Sequence, residues 1–188
     1  MAAIYADGGC IRKNPSPIGG MWAWCLVNEL GERVSQGSGV MVPAYGYDAH
    51  FPDLRVDRWP FDEITNNQME FVALVLGLEA LPDGWSGAVC SDSQVTLGRF
   101  FKQWKLDGIP PKWIQRGGFA RRRLGQLSAV LLDGHPTRRH LADGKGKRGN
   151  RVSQHNVWCD EECNRVARRY LELLQAQPFG GQVMVCHR

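Results

Sequence analysis

Long apolar runs are missing from this sequence: no stretch approaches the ~18 consecutive apolar residues that a membrane-spanning helix needs. The first seven residues also lack the basic residues and the long apolar stretch of a secretory signal. We therefore expect a cytoplasmic protein that does not contact the membrane. Global disorder is excluded as well, because 43% of the residues are hydrophobic and 22% are charged.

Closely spaced cysteine pairs of the CxxC kind are also absent. His155, Cys159 and Cys163 share one face of a predicted helix, but three ligands on one helix cannot close a tetrahedral zinc site alone. We therefore expect reduced thiols rather than a zinc site. The six cysteines are Cys10, Cys25, Cys90, Cys159, Cys163 and Cys186.

Acidic residues are scarce in the middle of the chain and abundant before it. Residues 99–151 carry 14 Lys and Arg against 3 Asp and Glu, whereas residues 1–98 carry 5 against 12. The basic segment fits a surface for a phosphate backbone, and a solvated basic face is the alternative. An acidic first half beside such a surface suggests bound divalent metal. The segment includes Trp104 and Trp113 and, after them, Arg121, Arg122, Arg123, Arg138, Arg139, Lys145, Lys147 and Arg148.

The order of predicted elements indicates an α/β protein with one mixed five-stranded sheet flanked by helices. The sequence favours three antiparallel strands at 2–6, 21–28 and 34–42, followed by two parallel strands at 88–91 and 128–132. Helices are expected over 69–81, from 93 to about 104, over 113–126 and over 157–175. We expect a single domain over residues 1–188, with insertions at about 43–63 and 136–154.

Four carboxylates stand at ends of these predicted elements. Asp7 and Asp92 follow strands, while Glu70 and Asp160 begin helices. Ligands of α/β proteins bind at the carboxyl ends of the strands, where all four side chains can converge. Turn formation by Asp7 and Asp92, and a capping box formed by Thr65-x-x-Gln68, are the plainer alternatives.

Four motifs that occur in a fixed order favour a shared site over turn formation and helix capping. Asp7-Gly-Gly is followed by Thr65-Asn-Asn-Gln-Met-Glu70, then by Ser91-Asp92-Ser93, then by Asn156 with Asp160 at a helix start. With these motifs the sequence resembles the type 1 ribonuclease H family over roughly residues 2–42 and 64–175. The resemblance implies the ribonuclease H-like fold and a metal-dependent endonuclease that cuts the RNA strand of RNA–DNA hybrids.

The resemblance also implies a reaction with two Mg²⁺ ions, for which Mn²⁺ can substitute. Asp7 would bridge both ions, Glu70 and Asp92 would hold the ion nearer the leaving group, and Asp160 would hold the ion that carries the attacking water. The products would end in 3′-hydroxyl and 5′-phosphate. The substrate-binding residues carried over from the family are Cys10, Asn14, Asn66 and Asn67 on the RNA strand and Thr65 on a DNA phosphate. Helix capping is the alternative for the two asparagines after Thr65.

The sequence departs from the family at the histidine that usually stands about ten residues before the final aspartate, where this chain has Asn150. His135, in Gly134-His135-Pro136, is the expected counterpart, with His140 and His155 as competitors. Two other functions stay open: a non-catalytic nucleic-acid-binding module on the same fold, and a nuclease of this fold that acts on DNA. We expect the chain to act as a monomer.

Overall fold

Six strands within the described residues, 1–45 and 51–176 of the computed structural model, form one mixed sheet. The expected mixed α/β fold is confirmed, with one strand more than the five predicted. Along the sheet the order is β4, β3, β2, β1, β5, β6. The strands are β1 (Ala3–Cys10), β2 (Gly20–Val27), β3 (Arg33–Val42), β4 (Val56–Arg58), β5 (Gly87–Ser91) and β6 (Leu127–Leu131).

The first strand is longer than its sequence suggests. The sequence predicted that this strand ends at residue 6, before Gly8-Gly9, and this prediction is wrong, because Gly8 pairs with Trp22 and Cys10 pairs with Gly20 in the antiparallel ladder to β2. The parallel pairing of β1 with β5, however, ends at Tyr5. The segment from Ala6 onwards therefore runs past the end of its parallel neighbour, and Asp7 lies on that overhang.

Helices cover both faces of the sheet. The helices are α1 (Asn66–Glu79), α2 (Gln94–Phe101), α3 (Pro111–Arg123), α4 (Arg138–Asp143) and α5 (Gln154–Gln175). α1 packs on Ile4, Trp22 and Trp24, whereas α5 packs on Ala23 and Cys25, which point to the opposite face of β2. The predicted capping box at Thr65 is present, and the Thr65 N–H donates to Gln68 Oε1 at 2.7 Å. None of these helices is both long and apolar enough to cross a membrane.

The insertion predicted at 43–63 is packed onto the sheet in its described part, and residues 46–50 lie outside the described residues. β4 pairs in parallel with the end of β3 and forms the additional strand. Trp59 is fully buried and stacks 6.4 Å from Trp113, while Phe51 and Leu54 pack near Tyr170 of α5. This part of the insertion therefore extends the core.

Candidate active site

A very close contact between β1 and α1 brings Asp7 next to Glu70. A Cβ added at Gly8 would lie 2.4 Å from the backbone carbonyl of Met69 and 2.7 Å from the backbone nitrogen of Glu70. Only a glycine permits this approach. The Gly8 N–H also donates to Asp7 Oδ1 at 2.8 Å and so orients the carboxylate.

The four predicted carboxylates influence one another electrostatically. Burial and the nearby Asp92 carboxylate hold the pKa of Asp7 well above its usual range, and Asp160 and Glu70 add to the rise. Burial raises the pKa of Glu70 to about 7, although hydrogen bonds from Ser93 and Thr96 oppose the rise. Burial likewise raises the pKa of Asp92, and Asp160 contributes to that rise. The fold thus brings together four acidic groups in a setting that disfavours their charged forms, and a bound cation would favour those charged forms again.

His135 and Asp160 form one wall of a small pocket of about 190 Å³ whose lining also includes Asp92 and Asn156. His135 Nδ1 lies 3.7 Å from Asp160 Oδ2, and the imidazole is 84% exposed. Gly134 makes room here, because a Cβ at this position would lie 2.3 Å from Asp92 Oδ2. His135 has a left-handed backbone, with φ of 49°.

The other two histidines are engaged elsewhere. His140 Nδ1 accepts the Thr137 N–H at 3.3 Å, within a capping box at the start of α4. The His155 ring packs 5.2 Å from the Tyr5 ring. Of the three histidines considered from the sequence, only His135 lines the pocket.

Asn156 is a site residue to which the sequence analysis gave no role. Its side chain is 2% exposed and hydrogen-bonds to Asp92, which favours the charged carboxylate. Its Oδ1 atom is buried without a partner among the described residues. A buried acceptor on a polar pocket calls for a donor from a ligand or from water. The position of Asn156 one turn before Asp160 was the only available signal in the sequence.

The predicted substrate-binding residues are joined by hydrogen bonds at the start of α1. Asn66 Oδ1 accepts the Cys10 N–H at 2.9 Å, and Asn14 Oδ1 accepts the Asn66 N–H at 3.2 Å. Within the described chain, the side-chain NH₂ groups of Asn14 and Asn66 have no acceptor, so both remain available as donors. Thr65 caps α1, and Asn67 is exposed beside it.

Only some residues of the basic segment lie on the protein surface, and others are bound within the protein. Trp113 is 4% exposed, so its expected place among surface residues of the segment is wrong, and Arg116 stacks on its ring while pairing with Glu79. Arg123 donates to the carbonyls of Leu78, Glu79 and Leu81 at the end of α1. Arg122 is exposed, and Trp104 is 41% exposed.

A buried aspartate anchors the second predicted insertion, 136–154. Asp133 Oδ2 accepts the backbone N–H of Arg148 at 2.6 Å, and Oδ1 accepts Arg148 Nε at 3.0 Å and Asn150 Nδ2 at 2.8 Å. Burial alone would raise the pKa of Asp133, but these hydrogen bonds outweigh it and lower the pKa. The segment contains α4 and folds back onto Asp133, which lies two residues after the end of β6 and two residues before His135.

The donor chemistry of the four carboxylates fits a divalent cation. Carboxylate oxygens are the ligands that Mg²⁺ and Mn²⁺ prefer. The carboxylates are partly buried and repel one another when they are charged, and a bound cation would offset this negative charge. No three His, Cys, Asp or Glu side chains in residues 1–45 and 51–176 are arranged as they stand to hold a metal ion. Assignment of the four as ligands stays a prediction. All five cysteines of the described residues are free, as expected, and Cys186 lies outside these residues.

Comparisons with known proteins found relatives in sequence and in fold. No family model matches the chain. The ribonuclease H of Acidithiobacillus ferrooxidans is 31% identical over 182 residues, which cover 95% of this chain and 94% of that protein. The ribonuclease H of Anaplasma marginale is 33% identical over 110 residues, and this match spans only 55% of that relative's length. The structure of LC11-RNase H1 in complex with RNA/DNA hybrid is similar in fold, with a TM-score of 0.58, 19% identity and coverage of 91% of this chain and 99% of that one.

Proposed function

This chain belongs to the ribonuclease H family, and from that premise we propose that it is an endoribonuclease that hydrolyses the RNA strand of RNA–DNA hybrids with two bound divalent cations. The observation that carries the proposal is that Asp7 interacts electrostatically with the three other carboxylates, Glu70, Asp92 and Asp160. A protein that only bound nucleic acid would gain nothing from four acids facing a phosphate. Curated relatives named ribonuclease H, and a structural neighbour solved with an RNA/DNA hybrid, support the same substrate.

The four carboxylates would hold the cations, with Asp7 as the shared ligand, Glu70 and Asp92 on one side and Asp160 on the other. When bound, such cations supply an activated water and neutralise charge on the leaving oxygen. Mg²⁺ is the expected ion, and Mn²⁺ is expected to substitute for it. Hydrolysis in this geometry would leave 3′-hydroxyl and 5′-phosphate ends.

The side chains of the protein would orient these groups. The Gly8 N–H fixes Asp7 Oδ1, and Thr96 Oγ1 lies 3.4 Å from Glu70 Oε2, so both carboxylates are held from the protein side. His135 would carry a proton on Nδ1 beside Asp160 Oδ2, 3.7 Å away. Because this imidazole is largely exposed, it can exchange that proton with solvent.

Recognition of RNA would depend on the 2′-hydroxyl, which distinguishes RNA from DNA. The free side-chain NH₂ groups of Asn14 and Asn66 are the donors that we assign to the RNA strand, together with the backbone of Cys10 and with Asn67. Asn66 and Asn14 each use their oxygen within the protein, which fixes the direction in which the NH₂ groups point. Thr65, at the start of α1, would contact a phosphate of the DNA strand.

The test is cleavage of a 5′-labelled RNA–DNA hybrid and of matching RNA and DNA duplexes in Mg²⁺, in Mn²⁺ and in EDTA. We expect metal-dependent cutting of the RNA strand of the hybrid alone, with fragments that a polymerase can extend from their 3′ ends. Binding without cutting would assign the chain to the non-catalytic class. Cutting of the DNA duplex would assign it to the DNA nucleases of this fold.

A further inference from the structure

A second groove lies beside the carboxylates, between the loop after β1 and the outer turns of α5. Its volume is about 430 Å³, and we call it the Arg12 groove. Cys10, Arg12 and Met21 line it from the β1 and β2 side, and Asn164, Arg168 and Leu171 line it from α5. The site described above uses neither arginine.

Two of the residues that line the groove are arginines without a counter-ion. Among the residues that the structure describes, no carboxylate pairs with Arg12 or Arg168, and Arg168 Nε contacts only the Asn164 carbonyl of its own helix, at 3.4 Å. The neighbouring arginines differ: Arg165 pairs with Glu162 at 2.7 Å, and Arg169 pairs with Asp53 at 2.8 Å. Two unpaired guanidinium groups on one concave surface favour an anion, above all a phosphate.

The backbone at Arg12 supports a role beyond structure. Its φ of 68° lies in the left-handed region that residues other than glycine rarely adopt. The Lys13 N–H donates to the Ile11 carbonyl at 3.0 Å and closes a tight turn around Arg12. Such strain concentrates where a side chain must be presented to a ligand.

Two residues that line the groove contact residues of the candidate active site. Asn164 Nδ2 donates to the Asp160 carbonyl at 3.0 Å, and the Cys10 N–H donates to Asn66 Oδ1 at 2.9 Å. Arg168 stands eight residues after Asp160 on α5, which corresponds to about 12 Å along a helix. At ~3.4 Å of rise per nucleotide, this length corresponds to roughly three to four nucleotide steps from the carboxylates.

We propose that Arg12 and Arg168 bind a phosphate of the RNA strand a few nucleotides from the bond that is cut. This inference rests on the proposed function and identifies a part of the substrate that the carboxylates do not reach. The RNA strand is assigned because Asn14 and Asn66, its proposed contacts, adjoin Cys10 at the mouth of the groove.

The experiment measures hybrid binding in EDTA, where cleavage does not interfere, for the wild type and for the double variant Arg12→Ala, Arg168→Ala. The slope of log affinity against log salt concentration should decrease by about 1 for each arginine that loses a phosphate contact. Arg169→Gln is the matched control, because it removes one charge from the next residue of α5 but not from the groove. We expect its salt slope to stay near that of the wild type.

A second measurement locates the phosphate. A single neutral methylphosphonate is placed at successive positions of the RNA strand, and the position that weakens binding to the wild type should have no effect on the double variant. Loss of binding at the same positions in both proteins, or a salt slope like that of Arg169→Gln, would overturn the inference. Failure of the wild type to cut hybrids in Mg²⁺ would refute the proposed function separately, since the binding measurements need no cleavage.

Discussion

The contact between β1 and α1 at Gly8 gives the sharpest test of how the site is built. An alanine Cβ at Gly8 would lie 2.4 Å from Met69 backbone atoms, whereas ordinary Cβ contacts begin at about 3.4 Å. Strand and helix would have to separate by about 1 Å, because backbone atoms cannot escape by rotamer change. Overpacking of this kind costs about 1–3 kcal/mol, and we expect Gly8→Ala to lie near the upper value.

The separation should reduce both stability and catalysis. For a domain of this size, about 3 kcal/mol lowers Tm by roughly 6–12 °C. The same movement separates Asp7 from Glu70, and a 1 Å misplacement can reduce turnover about 10²-fold. Thermal unfolding and single-turnover cleavage of a labelled hybrid measure the two effects.

Gly118→Ala provides the control. A Cβ there would meet only Arg122 Nη1, at 3.5 Å, and alanine in place of glycine stabilises a helix by up to about 1 kcal/mol. We therefore expect an unchanged or slightly higher Tm and normal cleavage. If Gly8→Ala unfolded at the wild-type temperature and cut at the wild-type rate, the close approach of β1 and α1 would be refuted.

Three further predictions follow from the site and its surroundings. Asp7→Asn should abolish cleavage and leave hybrid binding intact, with the exposed Asp62→Asn as control; normal turnover would remove Asp7 from the metal ligands. Arg123→Ala should lower the unfolding free energy by about 2–4 kcal/mol, because it removes hydrogen bonds of a charged group, and should leave the salt slope of hybrid binding unchanged. Arg122→Ala should leave the unfolding free energy unchanged and reduce the salt slope. Equal salt slopes for the two variants would contradict a role of the exposed Arg122 in hybrid binding. Because folding lowers the pKa of Asp133, the ionised Asp133 side chain stabilises the folded protein above about pH 4, and this stabilisation is lost as the pH falls. Tryptic cleavage of residues 138–151 at neutral pH should therefore be faster in Asp133→Asn, and an unchanged rate would show that Asp133 does not hold this segment.

The sequence predicted the fold because the signals for its main elements are local. The apolar run after Met69 predicted a buried helix, and Thr65 with Gln68 predicted its start. The polar motifs around Asp7, Glu70, Asp92 and Asp160 predicted that these residues would meet, because strand ends and helix starts of such a sheet share one edge.

The features that the sequence did not reveal depend on partners distant in the chain. β4 has only three residues, and Trp59 is buried because Trp113 lies opposite it. Nothing in the basic character of Arg123 shows that it caps the end of α1, which lies more than forty residues away in the chain. The strand was predicted to end before Gly8 because glycine usually interrupts strands. In the structure, the missing side chain of Gly8 instead lets α1 pack closely against β1.

The short strand β4 also determines how much of the β3 edge is open to pairing with a second copy of this chain. An exposed strand edge is a template on which another chain can add, and β4 covers the edge of β3 only from Val40 to Val42. Trp59-Pro60 then follows, and proline cannot donate to a further strand. A shortened chain without residues 43–63 would therefore expose a hydrophobic edge and lose a buried tryptophan, so a smaller enzyme made this way would gain a route to aggregation.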